Sequence, residues 1–117
     1  MNEVKTRYYD LLNVEEMVDL IIEEYMSGKA FIMTIPDRFV NEQLIDAIIL
    51  KNPMDIQFVS EKLLSDENYK KVLNEDGVLL GLIPEPRRTL ELCQVAISSD
   101  AYAIKFVPEI LKSLVIY

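Results

Sequence analysis

The sequence predicts an all-α fold: a solenoid-like stack of about four short two-helix repeats with a longer N-terminal capping helix. Three observations carry that expectation. Positions 41, 65, 89 and 113 are Asn, Ser, Thr and Ser, residues whose side-chain oxygen can accept from an unpaired amide in the first turn of a helix. Positions 28, 52, 76 and 100 are Gly, Asn, Asp and Asp, which favour turns or tolerate the left-handed region. Positions 32, 56, 80 and 104 are Ile, Ile, Leu and Ile, positions 35, 59, 83 and 107 are Ile, Val, Ile and Val, and proline follows at 36, 84 and 108 with Ser60 as the exception. Every column has the same 24-residue spacing, so one supersecondary unit recurs.

That unit is too short for two full-length helices. Each copy is expected to hold one α-helix of about three turns and one shorter, partly 3₁₀ element. A single copy cannot bury its own apolar face, so copies stack into one core. The 117 residues are read as one domain with units at about 14–40, 41–64, 65–88 and 89–112.

In chain order, residues 1–10 place Lys5 and Arg7 beside Tyr8 and Tyr9 without a clear period and read as a loosely docked arm. Asn13 with Glu16 has capping-box spacing, and Leu12 can staple onto Met17. Val14, Val18, Ile21 and Tyr25 then recur at helical spacing. Gly28 is the expected C-cap of this first and longest helix. Residues 29–40 form a short second helix packed on it. Asn41 caps a helix whose Leu44, Ile45, Ile48 and Ile49 face inward and which stops at Asn52 and Pro53. Residues 54–64 pair with it, with Ile56, Val59 and Leu63 on the buried side. Ser65 opens the least hydrophobic copy, in which Asp76 and Gly77 make the turn and Leu80 and Ile83 pack. Thr89 opens the last. After Ser113 come Leu114, Val115, Ile116 and Tyr117, a start on another unit. This apolar end either folds back on the core, packs on a second copy as a homodimer contact, or continues into a longer array; folding back is the favoured reading.

Composition narrows the function classes. Half of the residues are hydrophobic, and the apolar runs are too short to span a membrane. Twenty acids against 12 bases give a net charge of -8, which repels polyphosphate and argues against direct nucleic-acid binding. The one cysteine, Cys93, permits no intramolecular disulfide and fits a reducing, cytoplasmic setting. The absence of histidine removes the commonest general base and metal ligand. No catalytic, metal-binding or cofactor motif is present, so neither an enzyme nor a cofactor is expected. Cys93 shares the column of Ile21, Ile45 and Tyr69 and reads as a buried structural thiol. Arg87 with Arg88, and Lys70 with Lys71, read as bases paired with nearby acids.

The strongest charge block lies in the first helix. Glu15, Asp19 and Glu23 recur every fourth residue, Glu16 and Glu24 adjoin them, and no base occurs between Arg7 and Lys29. A solvated helix face with acids favourably placed in its first turn accounts for this. The sharper reading makes Glu15, Glu16, Asp19 and Glu23 the partner-binding residues.

The stretch "AISSDAYAIKFVPEILKS" at 96–113 resembles a family of bacterial helical repeats of unknown function, whose unit reads as an alanine-valine pair, an Asn-Gly turn, an Ala-Leu pair, an aromatic residue and Val-Pro-Glu-x-Leu. The likeness is clear in the last unit, fair at 47–65, and weak at 68–89 and before Gly28. Its motif consists of packing and turn residues, so it implies a fold. The family is similar to parts of secreted bacterial effectors and mobile-element products and carries no common catalytic residues.

The functional expectation is a non-enzymatic protein-protein interaction module, an acidic inhibitor or immunity-type protein that masks a basic surface of a partner. The alternative is a structural segment of a larger secreted effector or scaffold. An enzyme using carboxylates alone stands third.

Overall fold

The computed structural model describes residues 13–116. Among these residues all regular structure is helical and no strand is present. Helix α1 spans Val14–Met26 and is followed by the 3₁₀ helices η1, Ile32–Thr34, and η2, Asp37–Phe39. Then come α2 (Glu42–Lys51), η3 (Pro53–Phe58) and η4 (Glu61–Leu63), and after them α3 (Asp66–Glu75), η5 (Gly77–Leu82) and η6 (Glu85–Arg87). The last set is α4 (Leu90–Ser99), η7 (Ala101–Phe106) and the short α5 (Glu109–Lys112). From Glu42 onward each element begins 24 residues after its counterpart. The expected N-terminal arm, the staple from Leu12 and the terminal Tyr117 lie outside the described residues.

The N-cap column sets these starts. Asn41 accepts from the Leu44 amide at 3.0 Å, Ser65 from Asn68 at 3.2 Å and Thr89 from Leu92 at 3.3 Å, and Asn13, outside the column, caps α1 in the same way at 2.8 Å. Ser113, the fourth member of the column, opens no helix and instead closes α5 as its C-cap, with φ of -75° and ψ of -12°. Helix α1 ends at Gly28, whose φ of 82° is the only positive one among the described residues. The Gly28 amide donates to the Tyr25 carbonyl at 3.1 Å and that of Lys29 to Glu24 at 2.8 Å, the paired bonds of a Schellman turn.

Asn52, Asp76 and Asp100 depart from the expectation of left-handed turns. Their backbones are extended, with φ of -160°, -155° and -152°. Each side chain instead accepts from the amide two residues ahead, at 3.1, 3.1 and 2.9 Å. One residue therefore closes an α-helix and opens the next 3₁₀ helix.

The second half of each unit is also not one helix. It is two short helical pieces separated at the proline column. Proline has no amide to donate and forces the preceding residue into extended backbone, and Ile35, Ile83 and Val107 have ψ of 121°, 133° and 131°; Val59, before Ser60, is extended in the same way with ψ of 138° without a proline to require it. Ile56, Val59, Leu80 and Ile83 are buried as expected, but in the second unit Leu64 rather than Leu63 is the buried leucine. Gly77 serves packing rather than the turn. It opens η5, and a Cβ there would stand 2.1 Å from the Ala96 carbonyl oxygen.

The α-helices contact their neighbours in sequence, α1 with α2, α2 with α3 and α3 with α4, and the 3₁₀ segments do likewise, η1 with η3, η3 with η5 and η5 with η7. The result is extended: the radius of gyration is 16.6 Å, against about 13 Å for a compact chain of 100 residues. Polar ties accompany the apolar contacts between units. Asn68 donates to Glu42 at 2.9 Å, Lys71 pairs with Asp46 at 2.9 Å, and Lys70 pairs with Glu91. The arginines work differently from the simple acid pairing expected. Arg87 donates to the carbonyls of Glu61 and Leu64 at 3.1 and 2.8 Å and stacks over the Tyr69 ring, with Asp66 as a longer 3.4 Å partner. Arg88 reaches only carbonyls, those of Ile83, Phe106 and Gly81.

Candidate interaction faces

The four acids singled out in the sequence are held on one rigid element. Glu15, Glu16, Asp19 and Glu23 are all exposed on α1, opposite the buried Val18, Ile21 and Tyr25. Glu15 and Glu16 lie in the first turn, where a negative charge is favoured by the unpaired amides of the helix start. Asp19 and Glu23 have a more specific placement. Glu23 stands two repeat periods before Lys71, and Asp19 three before Glu91. Lys71 and Glu91 are the side chains by which α3 and α4 grip the helix before them, through Asp46 and Lys70. Asp19 and Glu23 thus occupy gripping positions and remain exposed.

Beneath the other end of α1 is a small polar cluster that the sequence did not suggest. Tyr25 donates its hydroxyl to Asp55 at 2.7 Å, and Lys51 lies 4.4 Å from the Tyr25 ring centre while donating to the Tyr25 carbonyl. Burial and then the Asp55 hydrogen bond raise the Tyr25 phenol well above its usual 10.0. The cluster lines a hollow of about 260 Å³ with exposed Phe31, Met33 and Phe58 at its edge. Every polar group of the cluster has a partner inside it, which identifies it as a joint between the first two units.

At the opposite end a larger groove of about 690 Å³ runs along α4 to the tail. Val115 is buried, whereas Leu114 and Ile116 on either side of it are exposed. The Ile116 amide donates to the Gln94 side chain at 2.7 Å, and the Gln94 amide donates back to the Ile116 carbonyl. The apolar end therefore folds back, as favoured, through one of its side chains. Comparing columns could have drawn attention to Gln94, since it repeats Asp46 and Lys70.

Cys93 is fully buried, 3.7 Å from the Arg88 carbonyl, and burial pushes its thiol up. Such a thiol is poorly nucleophilic at neutral pH. Among the described residues no three His, Cys, Asp or Glu side chains converge to hold a metal ion, and no helix is long and apolar enough to cross a membrane.

The class these features define is an all-α chain built on a 24-residue period with an acidic helix at one end and, at the other, a groove lined mainly by apolar and neutral polar side chains. No family model, curated protein or solved structure matches it.

Proposed function

We propose that this chain is a non-enzymatic protein-interaction module, an acidic inhibitor or immunity-type protein that covers a basic surface of a partner with the outer face of α1. The repeats would form a solenoid-like array of the bacterial helical-repeat kind that the last unit resembles, with α1 as its capping helix. The observation that carries the reading is the position of Asp19 and Glu23: both are exposed in the columns through which later helices hold a neighbour. A basic helix or loop laid against α1 would meet the carboxylates as Lys71 meets Asp46. Glu15 and Glu16 extend the same face by one turn and add long-range attraction that steers association.

The test is capture of partners from the native host with the wild-type chain and with a Glu15→Lys, Glu16→Lys, Asp19→Lys, Glu23→Lys variant, at low and high salt. The expected result is a basic protein retained by the wild type alone and lost as salt rises, because exposed charges are screened within about 10 Å at 0.1 M salt. Equal capture by both chains, or capture indifferent to salt, would refute the assignment.

A further inference from the structure

We propose that the groove along α4 is a self-association face and that two copies of this chain meet there about a two-fold axis, α4 and tail against α4 and tail. The argument starts from the repeat columns. Position 46 bonds Lys71 of the following helix and position 70 bonds Glu91 of the following helix. Gln94 is the next member of that column, yet it meets only the backbone of Ile116. The side of α4 that faces a successor in every earlier unit is therefore covered by a narrow strap, with Leu114 and Ile116 exposed along it.

The chemistry of the groove selects its occupant. Among the described residues Glu91 is the only charged one lining it, and its carboxylate is paired with Lys70, which also holds Glu67. The chain as a whole carries a charge of -8, so two copies repel wherever acids face acids, and among the described residues this face presents none unpaired. The remaining polar lining includes Asn74, Ser98 and Ser99, amide and hydroxyl groups that both donate and accept. A two-fold interface places one patch against itself and so needs groups of that kind. Head-to-tail stacking would instead bury Asp19 and Glu23 of one copy against a groove with no free base, leaving desolvated carboxylates unpaired.

Sedimentation equilibrium of the purified chain over a wide concentration range tests the proposal. The expected result is a reversible shift from monomer to dimer mass that is maintained or strengthened as salt increases, opposite in sign to the salt response of the α1 face, so each assignment can fail alone. A Leu114→Asp, Ile116→Asp variant and, independently of the tail, Ser98→Arg should both remain monomeric throughout. All three side chains are exposed, so helical circular dichroism and Tm should match the wild type. A wild type that stays monomeric at every concentration would overturn the proposal and leave the face to a following repeat or another protein. So would a dimer that survives both variants, or growth past dimer that Asp19→Lys and Glu23→Lys abolish, the mark of head-to-tail stacking.

Discussion

A single residue can break a repeat column without breaking the fold, and Ser60 is the case here. It stands where units one, three and four have proline, yet its φ of -57° matches those of Pro36, Pro84 and Pro108 at -60°, -53° and -54°. The preceding Val59 is already extended with ψ of 138°, as a proline would require, and Ser60 makes no capping hydrogen bond of its own. Ser60→Pro should therefore stabilise the chain by about 0.4–1 kcal/mol, chiefly by narrowing the unfolded ensemble. Urea unfolding checks this, and a lower midpoint would mean that the Ser60 amide or the ring volume matters in a way the backbone does not reveal. Gly77 teaches the converse. Its column neighbours are Pro53 and Ala101, so nothing local demands glycine. The demand comes from the Ala96 carbonyl of the next unit.

Elements were legible in the sequence to the extent that their causes are short-range. The caps at Asn41, Ser65 and Thr89, the proline breaks and most of the inward aliphatic positions act within a few residues and appear where expected, whereas Ser113 closes a helix, Ile35 and Ile104 are only partly buried, and Leu64 takes the place of Leu63. Asn52, Asp76 and Asp100 were read as turn formers, although their side chains serve as caps between two kinds of helix. That role follows from the six 3₁₀ residues after each of them, which hydrophobic pattern alone did not separate from α-helix. Loss of the acceptor in Asp100→Ala should cost about 1 kcal/mol, while Asp100→Asn should restore most of it because Asn52 makes the same bond in the second unit. Equal thermal unfolding of the alanine and asparagine variants would assign the stability to backbone alone. Features that depend on how units sit against each other were not legible: the arginine grip on carbonyls, the Tyr25, Lys51 and Asp55 joint, and the strap that Gln94 holds. The acid face was visible as charge, but its coincidence with the gripping columns required the pairs Asp46 with Lys71 and Lys70 with Glu91.

At the scale of the whole molecule those joints have a shared dependence on pH. Tyr25 is raised by burial and by Asp55, Tyr69 by burial against a smaller opposing effect of Arg87, Lys70 by its bonds to Glu91 and Glu67, and Lys71 by its bond to Asp46. In each case the folded chain holds the proton more tightly than the unfolded one. Such groups contribute fully below the ordinary values of 10.0 for tyrosine and 10.5 for lysine, and the contribution is lost as the pH climbs from there toward the raised folded values, because the unfolded state releases its protons first. The two lysines are exposed at the surface and screened, which leaves the buried phenols and the buried Cys93 thiol, itself raised from its ordinary 9.0 by burial, as the main sources. Tm should accordingly be level from neutrality to about pH 9 and then fall steadily through pH 10 and 11. Tyr25→Phe removes one such proton along with the hydrogen bond to Asp55, so it should lower Tm at pH 7 while making the alkaline fall shallower. A variant whose Tm curve ran parallel to that of the wild type above pH 9 would exclude Tyr25 as a source of the alkaline loss and leave Tyr69 and the buried Cys93 thiol to account for it.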